Sequence, residues 1–212
     1  MNSPFAEGER VALIEAILPE VVFDGWSRAA LRAAARRIGV SPSAAMALFP
    51  GGAADLVAGF SRWADQRMLD RLESTTLDGL RVSERVALAI GIRLEIVGPW
   101  REAVRAALAV LALPTHVPLA LRLLYQTVDA IWYAAGDSAT DFSFYTKRMS
   151  LAALWAATVI YWLEDRSEDF VDTRGFVARR LGDLARIGRT RRGLSTAVGG
   201  LPNPFRLLRP LR

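Results

Sequence analysis

Apolar residues recur at helical spacing along most of the chain. In the segment 9–22, ERVALIEAILPEVV, they fall three and four residues apart, the period of a helix that buries one face. The same pattern predicts further helices over about 53–73, 84–97, 100–112, 118–135, 142–164 and 170–187. No alternating apolar and polar pattern typical of strands runs for a useful length. The sequence therefore predicts an all-α fold.

Two short helices with a tight connection are predicted near the N-terminus. Gly39-Val40-Ser41 separates an alanine-rich helix from the segment SPSAAMALF, and Ser27 and Ser41 stand where N-cap residues do. This spacing is typical of a helix-turn-helix. A recognition helix reads bases with arginine, lysine, asparagine or glutamine, and residues 41–49 contain none of them. We interpret the motif as a scaffold and regard DNA as a disfavoured partner.

The segment 151–163, LAALWAATVIYWL, is apolar at almost every position. It is too short to span a bilayer, which takes about 20 residues. The pattern predicts a helix that is wrapped on all sides, either at the centre of a bundle, beside an apolar cavity or in a dimer interface. The preceding helix, 118–135, is apolar apart from one narrow polar seam. A simple core and a lipid cavity or dimer face both remain open.

Residue types exclude several kinds of chemistry. The chain has 212 residues, of which 52% are hydrophobic and 23% charged, as in a globular protein. It has no cysteine, which removes disulfides, thiol catalysis and cysteine metal sites. Its single histidine, His116, is interpreted as a loop side chain that sets a helix entry, because it lies between Pro114 and Pro118. We therefore predict no enzyme activity, no metal site and no cofactor.

The C-terminal tail combines positive charge with apolar side chains. The formal net charge is +5, which favours an anionic partner, and no acidic residue follows Asp183. Such a composition suits the surface of an anionic membrane. Glycines and prolines between 199 and 210 predict a partly irregular segment, and a disordered tail without a membrane role is the alternative. The predicted membrane-binding residues are Arg189, Arg191, Arg192, Leu194, Phe205, Arg206, Leu207, Leu208 and Arg209.

The chain resembles two known kinds of protein. Gly25, GVS at 39–41 and Phe49-Pro50 give the N-terminal part a resemblance to the tetracycline-repressor (TetR) fold with a degenerate reading head. The C-terminal half is similar to the ubiquinone biosynthesis lipid-binding accessory family. The residues that carry this second resemblance are Asp129, Trp132, Gly136-Asp137, Thr140-Asp141-Phe142, Tyr145-Thr146, Arg148, Thr158, Asp165, Ser167, Thr173, Phe176 and Arg179.

The resemblance implies a non-enzymatic homodimer with a TetR-like helical fold. Such a protein would bind an isoprenoid lipid, a ubiquinone precursor, and present it to a ring hydroxylase at the membrane surface. It would comprise a helix-turn-helix-like subdomain over 1–60, a lipid-binding and dimerisation bundle over 61–188, and the tail over 189–212. Because MNSPFAEGER shows no secretory signal, we expect a cytoplasmic protein at the inner membrane of a bacterium. A TetR-type regulator that binds a small hydrophobic effector is the alternative.

The resemblance and the helix positions also suggest two sets of binding residues. Carried over from the family, the patch that docks the hydroxylase is Ile131, Asp141, Phe144, Tyr145 and Arg148. The family usually has tryptophan where this chain has Phe144, so the aromatic anchor is kept without its N–H donor. Helix position gives the candidate lipid-binding residues Val128, Trp132, Leu151, Leu154, Trp155 and Thr158.

Overall fold

The fold is all-α, as predicted. A computed structural model describes the backbone of residues 4–136 and 142–199, and side chains within 6–136 and 146–186. Over these ranges it contains nine α-helices and no strand. The helices are α1 Pro4–Asp24, α2 Arg28–Arg37, α3 Pro42–Leu48, α4 Ala53–Glu73, α5 Val82–Val97, α6 Arg101–Leu111, α7 Val117–Ala134, α8 Phe142–Glu164 and α9 Val171–Gly199.

Helices α2 and α3 form the predicted helix-turn-helix. The side chains of Ser27 and Ser41 accept hydrogen bonds from the backbone N–H groups of Ala30 and Ala44, each at 3.1 Å, which confirms both predicted N-caps. The connection turns at Gly39, whose φ of 75° lies in the left-handed region that glycine adopts without strain. Helix α3 has only seven residues and begins with a proline in its first turn.

Trp26, in the link between α1 and α2, connects this N-terminal part to the bundle. Its buried indole N–H donates to the carbonyl oxygen of Ala103 on α6 at 3.0 Å. Its ring lies 5.1 Å from the ring of Phe60 on α4. Helix α4 packs against α1 as well as against α5 and α7, so it belongs to both parts of the fold. The division of the chain at residue 60 stays a prediction.

Within the single chain, helix α8 is covered on part of its surface and leaves one apolar face exposed, so its predicted place in a dimer interface stays a prediction. Its buried positions recur at intervals of three and four residues and include Arg148, Leu151, Trp155, Thr158 and Trp162. Elsewhere on the same helix the side chains of Met149 and Ile160 are 72% and 65% exposed. The apolar run therefore includes an exposed apolar face, because an apolar sequence does not by itself supply neighbours on every side.

The junction of α8 and α9 is organised by one buried carboxylate. Asp165 accepts hydrogen bonds from the backbone N–H and the hydroxyl of Ser167, at 2.8 and 2.6 Å, and from the backbone N–H and hydroxyl of Thr173. Burial acts to raise the pKa of Asp165, but these four hydrogen bonds outweigh it and hold the pKa at about 2. The folded state therefore favours the ionised carboxylate.

This carboxylate gives the folding free energy a defined dependence on pH. A pKa lowered from 3.8 to about 2 on folding stabilises the protein by about 2 kcal/mol at neutral pH. The contribution is complete above pH 3.8 and is lost as the pH falls through about 2. We expect Asp165→Asn to lose stability in urea unfolding at pH 7, with the gap from the parent chain narrowing below pH 3.8. A gap that is constant with pH would contradict the assignment.

No single helix among the described residues is long and apolar enough to cross a membrane. Two bent helix pairs, Pro42–Leu48 with Ala53–Glu73 and Val82–Leu111 with Pro114–Ala134, meet the length and composition requirement only when taken together, with bends of 76° and 95°.

Candidate functional site: an apolar cavity with one polar corner

A cavity of about 440 Å³ lies among α4, α5, α6, α7 and α8. This is the size of pocket that holds a small organic ligand. All five helices contribute apolar side chains to its wall, for example Phe60, Leu94, Val104, Leu123 and Val159. The wall as a whole is therefore suited to an apolar molecule.

The exposed part of the wall marks where a ligand can enter. Leu108 on α6 and Ile160 on α8 both line the cavity and are 37% and 65% exposed. Ala156, one turn before Ile160, also lines the cavity and is exposed. The cavity thus opens beside the exposed apolar face of α8. An apolar ligand could enter there without crossing a polar rim.

The hydroxyl and charged side chains of the wall are gathered in one corner. They are Ser61 on α4, Arg93 on α5 and Thr127 on α7. The Arg93 guanidinium donates to Asp65 through Nε at 2.6 Å, and its Nη2 lies 3.4 Å from the Ser61 hydroxyl and 3.5 Å from the Thr127 hydroxyl. Thr127 also donates to Asp65, whose two carboxylate oxygens lie at 3.1 and 3.0 Å. We call Ser61, Asp65, Arg93 and Thr127 the polar corner.

The charged pair of the polar corner is largely removed from water. Asp65 and Arg93 are each only 8% exposed. The guanidinium carbon of Arg93 lies 4.8 Å from the centre of the Trp155 ring on α8, which is cation–π distance. Arg93 is therefore held from one side by a carboxylate and from another by an aromatic ring. The cavity has one hydrogen-bonding corner, built on a charge-balanced Arg93–Asp65 pair, in an otherwise apolar wall.

Trp162 also lines the cavity and carries a polar atom outside the polar corner. It is fully buried, and its indole N–H has no acceptor among the described residues. A buried donor without an acceptor is costly in free energy. The ring itself is well packed, with Phe170 at 5.8 Å in an edge arrangement and the Arg101 guanidinium carbon at 5.0 Å.

Of the six predicted lipid-binding residues, one belongs to the wall of the cavity. Trp155 lines the cavity. The other five, Val128, Trp132, Leu151, Leu154 and Thr158, lie outside its wall. Three of these are core residues, Trp132 is partly buried, and the Thr158 hydroxyl donates to the carbonyl oxygen of Leu154 at 2.7 Å. Their role in lipid binding stays a prediction.

Two side chains of the predicted docking patch are buried, and the other three lie outside the described side chains. Ile131 is fully buried, and Arg148 is 8% exposed with its guanidinium donating to Asp129 at 2.9 and 2.8 Å. In this conformation neither side chain is available to a partner. Phe144 and Tyr145 belong to the first turn of α8, but their side chains lie outside the described part, as does all of Asp141. A hydroxylase contact through these residues stays a prediction.

The predicted membrane residues lie at or beyond the end of the described chain. The backbone of Arg189, Arg191, Arg192 and Leu194 belongs to α9, which continues past the predicted end at 187. The second group, Phe205, Arg206, Leu207, Leu208 and Arg209, lies outside the described residues. Membrane binding by both groups stays a prediction.

Sequence patterns did not single out the four residues of the polar corner. Arg93 and Asp65 are separated by 28 positions, and neither belongs to a recognisable motif. Arg93 interrupts the otherwise apolar stretch 86–94 of α5, and this is the kind of signal that could have indicated it. Among the described residues, no group of three or more histidine, cysteine, aspartate or glutamate side chains could hold a metal ion.

The fold defines a structural class. The crystal structure of a TetR transcriptional regulator from Nitrosomonas europaea matches the chain with a TM-score of 0.67 at 24% sequence identity, covering 84% of this chain and 98% of the regulator. This confirms the TetR-like fold.

Within that class, the chain is similar to COQ9 proteins. Residues 117–188 match the COQ9 family model. The chain is 32% identical to the human mitochondrial ubiquinone biosynthesis protein COQ9 over 185 residues, which are 84% of this chain and 58% of the human protein. The Drosophila melanogaster protein of that name is also 32% identical, over 84% of this chain and 56% of its own length. The chain thus spans less than two thirds of these relatives.

The comparison corrects the expected location. The human, fly and Dictyostelium discoideum relatives are all named as mitochondrial proteins. The expectation of a cytoplasmic protein at the inner membrane of a bacterium is therefore wrong. It rested on the N-terminal residues and the tail, and neither feature identifies one compartment among several that present an anionic membrane surface.

Proposed function

We propose that the chain is a non-catalytic accessory protein of ubiquinone biosynthesis. It binds an isoprenoid quinone precursor in the cavity and presents it, at a membrane surface, to a hydroxylase that acts on the ring. The observation that carries the proposal is the apolar cavity itself. Two of its walls, α7 and the part of α8 up to Trp162, belong to the segment that matches the COQ9 family model.

The chemistry of the wall supports binding without catalysis. The one acidic group of the polar corner, Asp65, is engaged by Arg93 and Thr127. A general base must reach the proton that it removes, and a carboxylate tied to a guanidinium and a hydroxyl is poorly placed to do so. We therefore infer that the cavity holds its ligand and leaves the reaction to the partner enzyme.

The exposed face of α8 supports two further parts of the proposal. Met149 and Ile160 are large apolar side chains in contact with water, and the cavity opens beside Ile160. Burial of such a face is favourable, either against a second copy of the chain or against lipid. We propose that the protein is a homodimer and that its basic C-terminal tail brings it to the membrane.

The alternative, a DNA-binding regulator, has less support. Ser43, Ala44 and Ala47 are exposed residues of α3, and none of them has a charged or amide side chain. Such a surface offers little to base edges. The structural likeness to a TetR regulator concerns the fold, and a fold alone does not define the function.

One pair of variants on α8 tests lipid binding. Ala156 lines the mouth of the cavity, whereas the neighbouring Ala157 is also exposed but does not line it. We expect Ala156→Trp to weaken binding of a short-chain isoprenoid quinone at least tenfold, because the indole fills the entrance. Ala157→Trp, the matched control, should leave the affinity within about twofold. Quenching of tryptophan fluorescence by the quinone measures both, since Trp155 and Trp162 line the cavity.

Equal affinity in the two variants would mean that the quinone does not use this entrance. Loss of binding in both would point to the whole exposed face of α8 and away from the cavity. Because both substitutions place the same side chain on the same helix, general effects of an added indole cancel in the comparison.

A further inference from the structure

We propose that Arg93 recognises an uncharged oxygen on the head of the bound lipid. The cavity would then select a neutral, oxygen-bearing lipid over a hydrocarbon and over an anionic lipid of the same length. This inference rests on the proposed function, because it describes how the same cavity chooses among apolar ligands. It assigns to the polar corner a role in specificity.

The first support is the number of hydrogen bonds that Arg93 leaves unmade. A guanidinium has five N–H donors. Nε donates to Asp65 at 2.6 Å. The contacts of Nη2 with the hydroxyl groups of Ser61 and Thr127, at 3.4 and 3.5 Å, are close to the longest distance at which a hydrogen bond forms. Nη1 makes no hydrogen bond to any described residue. Because Arg93 lines the cavity, a ligand oxygen could satisfy these donors.

The second support is the placement of the polar groups. Ser61, Arg93 and Thr127 lie together, and the remaining lining residues are aliphatic or aromatic. A wall whose charged and hydroxyl side chains lie at one point complements a molecule with one polar end. A pure hydrocarbon would leave the Arg93 donors unsatisfied, at a cost comparable to a lost hydrogen bond.

The third support is the charge of the corner, which decides between neutral and anionic heads. Arg93 is already paired with Asp65, so the buried pair has no net charge. A carboxylate or phosphate brought beside it would be a third buried charge without its own counterion, and burial of such a charge is strongly unfavourable. A carbonyl or phenolic oxygen accepts the same hydrogen bonds without that cost.

The fourth support is rigidity. Asp65 holds one edge of the guanidinium, and the Trp155 ring lies 4.8 Å from its central carbon. Donors fixed in advance lose little conformational entropy when the ligand arrives. They also tolerate little displacement of the acceptor, and this makes them selective.

Three probes with a six-membered ring and the same decyl chain separate these possibilities. Decylbenzoquinone carries neutral oxygens, decylbenzene carries none, and 4-decylbenzoate carries a carboxylate. In equilibrium dialysis at pH 7.5 we expect the parent protein to bind the quinone about tenfold more tightly than decylbenzene, the ratio that one hydrogen bond to a charged group provides. The benzoate should bind more weakly than the quinone.

The matched variant removes both charges and keeps an acceptor for Thr127. We expect the double variant Asp65→Asn with Arg93→Met to lose about tenfold in affinity for the quinone and to bind decylbenzene as the parent does. Arg93→Lys, which keeps the charge and loses the planar fork, should show an intermediate loss. Circular dichroism spectra and melting curves establish that each variant is folded.

Several results would overturn the inference. If the double variant lost affinity equally for the quinone and for decylbenzene, Arg93 would only shape the wall. If it lost affinity for neither probe, the oxygen-bearing head of the lipid would bind elsewhere. Benzoate bound as tightly as the quinone by the parent protein would contradict the charge argument, and this comparison needs no variant to fold. Failure of the parent protein to bind any of the three probes would instead count against the proposed function.

Discussion

Asp65→Ala is expected to destabilise the protein by about 3–5 kcal/mol, the usual cost of leaving one member of a buried ion pair without its partner. Asp65 is 8% exposed and accepts hydrogen bonds from both Arg93 and Thr127. Its removal leaves a guanidinium without a counterion in an apolar wall, with two weak contacts to hydroxyl groups and the Trp155 ring beside it. Urea unfolding at pH 7, followed by circular dichroism, measures the loss.

The double variant Asp65→Asn with Arg93→Met separates the cost of an unpaired charge from the value of the pair. A buried pair replaced by uncharged groups of similar size is often close to neutral in stability. We therefore expect the double variant to keep most of the unfolding free energy that Asp65→Ala loses. If it were as unstable as the single variant, packing around these positions, and not the charge, would be the cause.

Trp162→Ala is expected to cost about 3–5 kcal/mol, the range for removal of a large buried aromatic side chain. Trp162 is fully buried and contacts the ring of Phe170 and the guanidinium of Arg101. Arg101 also donates to the carbonyl oxygens of Trp162 and Asp165, at the end of α8. The substitution thus removes packing at the point where α8 meets α9.

Tyr133→Ala provides the surface control for this prediction. Its side chain is 79% exposed on α7, and we expect its removal to change the free energy of unfolding by no more than about 0.5 kcal/mol. The loss of unfolding free energy for Trp162→Phe should lie between the losses for Tyr133→Ala and Trp162→Ala. A loss below about 1 kcal/mol for Trp162→Ala would mean that the ring is not the packing centre that its burial indicates.

The helices could be predicted from the sequence because their signals are local. Helix α4 was expected over 53–73 and is found at Ala53–Glu73, where a glycine pair precedes a long helical pattern. Ser41 was recognised as an N-cap because capping involves a residue and its neighbour three positions later. Signals of this kind do not depend on the rest of the fold.

The site could be predicted only in part because periodicity shows that a helix face is apolar and does not show what covers it. Trp155 was expected to contact lipid and lines the cavity, whereas Leu151, one turn earlier on the same face, is packed in the core. Nothing in the local pattern pairs Asp65 with Arg93, or Thr127 with Asp65 across 62 positions. That polar corner exists only once α4, α5 and α7 have packed.

The central claim is that the cavity carries an isoprenoid lipid, and mass spectrometry of the protein purified without detergent exchange tests it most directly. We predict that isoprenoid quinones or their precursors accompany the parent protein and the Ala157→Trp variant, and that Ala156→Trp carries far less. A parent protein that is free of such lipids, or an Ala156→Trp variant that retains them in full, would contradict the account. Retention of DNA in place of lipid would favour the regulator instead.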